Sequence, residues 1–197
     1  MRLITTTLAL AALLPAALAG QARYSFGVSA MGGTKLAQDR IFQDISINQK
    51  IAPTFTIGAS LPVSARERAG LEVSLGFGKT RIKEDGFSQV DGDSYKTLGF
   101  TAGVDGPLYK KFRYRFGAGL MKYLADKEGI FRQGGPLLLT LALGSDYHVF
   151  NSGKMGVVAR LRYEYQRFST DELRFAGFAR TQDVHKLGLG LALEYSR

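Results

Sequence analysis

In segment after segment of this chain a large apolar side chain recurs at every second position, and glycine, alanine, serine or threonine fills most of the positions between. The last segment shows it most plainly: Leu187, Leu189, Leu191, Leu193 and Tyr195 form one row, Gly188, Gly190, Ala192 and Glu194 the other. A period of two places alternate side chains on opposite faces of a β-strand. Each segment is therefore a strand with one bulky apolar face and one nearly bare face. Comparable segments begin at Tyr24, Phe55, Leu71, Leu98, Phe112, Leu137 and Val157, which makes eight strands and an all-β chain. No run of apolar residues after the N-terminal segment is long enough for a membrane-spanning helix, which needs about 20.

The connections alternate in length. "SARERAG", "GPLYKK" and "FNSGK" are short, whereas the stretches 32–53, 79–96, 122–135 and 168–183 are long. An even strand number with short turns at one end and long loops at the other predicts an antiparallel up-and-down transmembrane β-barrel. Ile45, Ile47 and Ile51 keep the odd parity of Phe55, so the second strand is expected to continue beyond the membrane with the same face outward.

A soluble barrel would show the same alternation turned inside out. Side-chain size separates the two cases. An eight-stranded barrel leaves an interior just wide enough for side chains to fill; Leu, Phe and Tyr from eight strands would overfill it, while glycine and serine suit it. The apolar row therefore faces lipid. A strand of about eleven residues at ~3.3 Å each, tilted by about 40°, covers roughly 28 Å, enough for an apolar band of about 25 Å. Tyr24, Phe112, Tyr114, Tyr147, Tyr163, Tyr165 and Tyr195 fall near strand ends, where aromatic girdles lie.

The N-terminus supplies the address. Residues 1–19 carry Arg2, an apolar run beginning at Leu3, and the small-residue site Ala17-Leu18-Ala19, the pattern of a secretory signal peptide cleaved before Gly20. The apolar run is shorter than a membrane anchor requires. The barrel domain is then 20–197, exported from the cytoplasm. The absence of cysteine excludes disulfides, thiolate metal sites and an N-terminal lipidated cysteine. A formal charge of +9 would be compatible with nucleic acid, but export argues for anionic lipid head groups instead.

On these features the whole exported chain resembles the small eight-stranded bacterial outer-membrane barrels of the OmpA, OmpX and opacity-protein type. The C-terminal stretch "KLGLGLALEY" resembles the assembly signal of that class through Lys186, Gly188, Leu191, Leu193 and Tyr195, although Ser196 and Arg197 follow where the family ends on an aromatic. The resemblance implies a monomer in the outer membrane, surrounded by its lipid and inserted by the barrel-assembly machinery.

Candidate chemistry lies on the inner rows, where Arg113, Arg115, Arg160, Arg162 and Lys186 face Glu72, Asp105, Asp146, Glu164 and Glu194. Charges in a narrow interior must be paired. Two readings follow: an ion-pair network that plugs the barrel, or a gated pore whose selectivity those charges set. Similar barrels favour the plug. Barrels that deacylate lipid A use a serine activated by a histidine two residues earlier; His148-Val149-Phe150 and His185-Lys186-Leu187 lack that serine, so no catalytic residue and no cofactor are assigned. "GFGKT" lies on a strand and lacks the first glycine of a phosphate-binding loop. "KKFRYR" reads as turn lysines, outward aromatics and inward arginines rather than a nucleic-acid groove, and "DGDSY" lacks the spacing of a calcium loop. The expected function is non-enzymatic, a structural or surface-interaction role through the four long loops. Ile41, Phe42, Phe87, Ile130, Phe131, Phe175 and Phe178 give those loops apolar contacts for an extracellular ligand or partner. A narrow channel for small or hydrophobic molecules, and a lipid A-modifying enzyme, are the alternatives.

Overall fold

A computed structural model describes residues 21–33, 35–38, 45–84, 90–125, 134–135, 137–169 and 181–197. The signal segment and the apolar loop residues named above lie outside these.

The strands are β1 (Arg23–Gly33), β2 (Lys35–Gln38), β3 (Ile45–Gln49), β4 (Ala52–Pro62), β5 (Arg68–Glu84), β6 (Val90–Tyr109), β7 (Phe112–Leu124), β8 (Leu137–Ser152), β9 (Met155–Ser169) and β10 (Thr181–Ser196). Eight of them close into a barrel in the order β1-β4-β5-β6-β7-β8-β9-β10, each antiparallel to its neighbours. Closure is complete along β1, whose residues pair with β10 from Arg23↔Ser196 to Gly33↔Lys186. A closed barrel has no edge, so the backbone of every staff can be satisfied where no water is present.

Each tight turn has a local cause. In the β4–β5 turn the Ser64 hydroxyl accepts from the backbone N–H of Arg66 (3.3 Å) and Glu67 (3.0 Å), a serine turn. Lys110 takes a left-handed φ of 50° between β6 and β7, and Gly153 one of 57° between β8 and β9. The start of β1 and the end of β10 lie at this short-turn end, since Arg23 pairs with Ser60 and Ser196.

The outer wall is apolar and exposed, with Phe26, Ile57, Leu71, Phe100, Phe116, Leu139 and Leu189 all on it. A soluble monomer does not carry a continuous belt of this kind. The barrel therefore spans a membrane. Leu187, Leu189, Leu191, Leu193 and Tyr195 face outward on β10, and Gly188, Gly190 and Ala192 inward. A Cβ at Gly188 would meet Met31, and one at Gly190 would collide with Ser29 and the Val28 carbonyl. The bare row is set by crowding from the neighbouring strand β1.

Two expectations are corrected. Gln49 pairs with Thr80 while Thr54 pairs with Gly76, so the β3–β4 side holds one residue more than β5 over the same rise. This bulge at Lys50 and Ile51 reverses parity. Ile51 remains outward, 77 % exposed, but Ile47 turns away from the outer wall and is 9 % exposed. The stretch 79–96, read as a loop, is largely strand: β5 runs on to Glu84 and β6 starts at Val90. Beyond the membrane neither face need be apolar, so the alternation that identifies strands is lost there.

Leu191 lies midway along the lipid-facing row of β10. Leu191→Arg is expected to destabilise the barrel by about 2–4 kcal/mol and His185→Arg, nearer the rim, by less than about 1 kcal/mol. Urea titration of protein folded in vesicles reads the difference; equal effects would move the membrane away from this band.

Candidate functional site in the barrel lumen

The charged residues of the inner rows come together in the half of the lumen nearest the short turns. β5 and β9 stand on opposite sides of the eight-membered ring. Glu72 on β5 nevertheless accepts hydrogen bonds from Arg160 Nη1 (3.2 Å) and from Arg162 Nη1, both on β9. The pairs therefore cross the full width of the lumen. Glu72 also accepts from Arg115 (3.1 Å). Asp146, fully buried, accepts from Arg160 Nε (3.0 Å) and Nη2 (3.3 Å), from Arg113 (3.3 Å) and from Arg115 (3.4 Å). Arg162 reaches Glu164 through Nε at 2.7 Å, and Arg113 donates to Glu194.

The two most shared carboxylates thus each serve three guanidinium groups. Sharing of this kind suits arginine, whose fixed fork of donors can bridge two acceptors. Room for the forks comes from glycines interspersed among them: Gly58, Gly70, Gly103, Gly117 and Gly144, on five successive strands of the ring from β4 to β8, line the cavity of about 70 Å³ in which these side chains meet.

Sequence parity missed two members of this cluster. Arg23 shares the inward face of Ser25 and donates to Asp105 at 3.0 Å, with Glu194 4.0 Å away. Arg68, read as part of a turn, starts β5 and donates to the hydroxyl (3.2 Å) and the carbonyl (3.0 Å) of Ser60. The lumen is therefore richer in cations than the expected balance. Arg23 could have been found by extending the inner row of β1 by one step.

Lys186 departs from expectation. It is buried but makes no ion pair among the described residues; its ammonium lies 5.7 Å from the ring centres of both Tyr95 and Tyr123. The half of the lumen nearest the long connections is built from these rings, 5.6 Å apart, with Tyr95 donating to Gln49 Oε1 (2.8 Å) and Tyr123 to Gln166 Oε1 (3.4 Å). A Cβ at Gly78 would occupy the space of the Tyr95 ring. A second cavity of about 20 Å³ lies here, lined by Met31, Gln49, Met121, Glu164 and Lys186 among others. A water needs about 10–15 Å³ of such space, so the first cavity has room for about five to seven waters and the second for one or two.

Neither histidine sits in a catalytic arrangement of the kind sought. His185 faces outward, its Nδ1 2.7 Å from the Tyr163 hydroxyl and its ring 5.2 Å from that of Tyr165. His148 is half-buried near the short turns, and its Nδ1 has no hydrogen-bond partner among the described residues. Among the same residues no group of three metal-ligating side chains is gathered. "GFGKT" lies within β5, and "KKFRYR" places Lys110 and Lys111 in a turn, Phe112 and Tyr114 outward, and Arg113 and Arg115 inward.

Removing one partner of a buried ion pair costs about 3–5 kcal/mol, whereas replacing a buried charge by an apolar group of similar volume can be nearly neutral. Glu72→Gln is thus expected to lower barrel stability by an amount of that order, and Lys186→Met by much less. Unfolding in denaturant, read by gel mobility without boiling, checks the ranking. Equal losses would mean that the cross-lumen pairs do not brace the wall.

No protein-family model and no curated protein matches the chain. Solved structures do match. The crystal structure of the outer membrane protein OprG from Pseudomonas aeruginosa is 11 % identical, with a TM-score of 0.53 over 90 % of this chain and 97 % of that one. The solid-state NMR structure of the outer membrane protein AlkL in lipid bilayers is 15 % identical, with a TM-score of 0.54 over 90 % of each chain. At these identities the likeness is one of fold: the chain has the architecture of the small eight-stranded outer-membrane barrels.

Proposed function

We propose that this protein is a non-enzymatic outer-membrane barrel with a plugged lumen, which works through the four long connections at one end. The observation that carries the reading is the pairing of Glu72 with Arg160 and Arg162 across the full width of the barrel. A pore needs a water-filled path along its axis. Here the arginine–carboxylate cluster stands in one half and the Tyr95–Tyr123 pair in the other, and the two cavities beside them, about 70 and 20 Å³, are small.

In this reading the protein is exported by residues 1–19, is inserted by the barrel-assembly machinery and is a monomer in a Gram-negative-type envelope. The long connections project outward, as the longer loops of such barrels do. A rigid scaffold carrying loops is where recognition is usually placed. Adhesion or binding of a surface partner is the role this supports. The narrow channel is the second reading, favoured by the cation that Arg23 adds to the lining.

Planar bilayers separate the two. The purified barrel is expected to be electrically silent, and Glu72→Ala to remain silent or flicker; steady anion-selective conductance of the unaltered protein would establish the channel instead. Binding to host cells or envelope extracts is expected to disappear when residues 39–44, 85–89, 126–133 and 170–180 are replaced by short glycine–serine links, with folding retained. Undiminished binding by the trimmed, folded barrel would remove the loop reading.

A further inference from the structure

On three adjacent strands the lipid-facing row ends in a lysine. Above Phe77 on β5 comes Lys79, above Leu98 on β6 comes Lys96, and above Leu120 on β7 comes Lys122; all three are exposed. The register places them side by side. Lys79 pairs with Ser94, two residues from Lys96, and Lys96 pairs with Leu124, two residues from Lys122. Diagonal neighbours of this kind have Cβ atoms about 7 Å apart, so the three lysines form a row roughly 15 Å long.

Their height is fixed by the apolar band. From Ala69 to Lys79, at about 3.3 Å per residue and a tilt of about 40°, the wall rises roughly 25 Å, the thickness of the band itself. The row therefore stands where the outer leaflet's head groups begin. The β9–β10 side of the same rim differs: it carries Tyr163, Tyr165 and His185, and Asp183 there accepts from Tyr165 (2.7 Å) and lies 3.6 Å from Arg167. Among the described residues the β9–β10 side thus pairs its cation, Arg167, with Asp183, whereas β5 to β7 set three lysines in a row, a one-sided arrangement that a bound lipid, rather than an averaged head-group layer, would require.

We infer that Lys79, Lys96 and Lys122 form a binding site for a phosphorylated glycolipid of the outer leaflet. Ammonium groups make charge-assisted hydrogen bonds to phosphate oxygens, and each of these lysines stands two residues along its strand from the lipid-facing Phe77, Leu98 or Leu120, against which acyl chains would pack. A glycerophospholipid with one phosphate engages a single point of a row of this length. A lipid bearing two separated phosphates engages both ends. The inference rests on the membrane placement proposed above and is independent of what the long connections bind.

The test uses the full chain in nanodiscs of zwitterionic lipid, with bisphosphorylated lipid A as the probe. At roughly fivefold per basic residue near a lipid surface, Lys79→Gln, Lys96→Gln and Lys122→Gln together are expected to weaken its binding about a hundredfold. Dephosphorylated lipid A and phosphatidylglycerol should bind unaltered protein far more weakly. Lys110→Gln with Lys111→Gln, which removes two charges at the opposite end, should change nothing. Retained affinity in the triple variant overturns the site, as does phosphatidylglycerol binding as tight as that of lipid A, or an equal loss from the Lys110 and Lys111 changes. Gel mobility without boiling verifies that each variant is folded, and failure to incorporate into nanodiscs as a folded barrel would count against the membrane placement instead.

Discussion

Backbone closure in a medium without water is the constraint on which the rest of this structure depends. A strand in lipid cannot leave its N–H and C=O groups unpaired, so the sheet must return to its first strand, as β10 does to β1. Closing with eight staves fixes the width of the interior, and the narrow width then dictates the inner row. Glycine at 70, 103 and 117 is an answer to that width, as is the bare row of β10. Where a Cβ would meet a neighbouring backbone or side chain, only the smallest residues let the wall curve.

The same width explains why the lumen's charges are arginines with shared acceptors. A single isolated pair would leave donor groups without partners in a space too small for much water, which is costly. Glu72 and Asp146, each held by three guanidinium groups, reduce this by turning several pairs into one connected cluster, in which Arg113 Nε and Nη1 are left without a hydrogen-bond partner among the described residues. Lysine has no fork with which to join such a cluster. Lys186 sits instead beside two aromatic faces, where a point charge is favoured by the ring quadrupole. Arginine and lysine thus divide the lumen between an ionic half and an aromatic half.

Most of the scaffold was legible in the sequence because a two-residue period has one meaning when a large row and a bare row alternate. The strand count, the alternation of short and long connections and the facing of Leu187 to Tyr195 all followed from it. What did not follow has physical reasons. The bulge before β4 inserts one residue without any compositional mark, so Ile47 was assigned to the wrong face. The outer ends of β5 and β6 lie beyond the lipid, where no apolar row is needed. Parity also gives a side chain's face but not its height or its partner: Arg160 and Glu72 are 88 residues apart, and only the ring order brings them together. Lys186 shares the face of the ion pairs and stands opposite Glu164 in the register, yet Glu164 is engaged by Arg162 and the ammonium lies beside Tyr95 and Tyr123, a choice of partner that parity does not give.

A lumen crossed by ion pairs also bears on where function can reside. Side chains committed to each other across the lumen cannot at the same time bind a passing solute, because releasing Arg160 from Asp146 and Glu72 would leave buried charges unpaired. Two regions escape that commitment. One is the rim, where Lys79, Lys96 and Lys122 look outward and take no part in the cluster; the other is the set of long connections. Both lie at the same end of the barrel, the end whose interior is held by Tyr95, Tyr123 and Gln166 rather than by ion pairs. The ionic brace sits nearer the short turns, the start of β1 and the end of β10, so changes at the outer rim need not disturb it. The barrel is thus divided between a half braced by ion pairs and a half whose interior is aromatic and amide, and the rim and the long connections stand at the second.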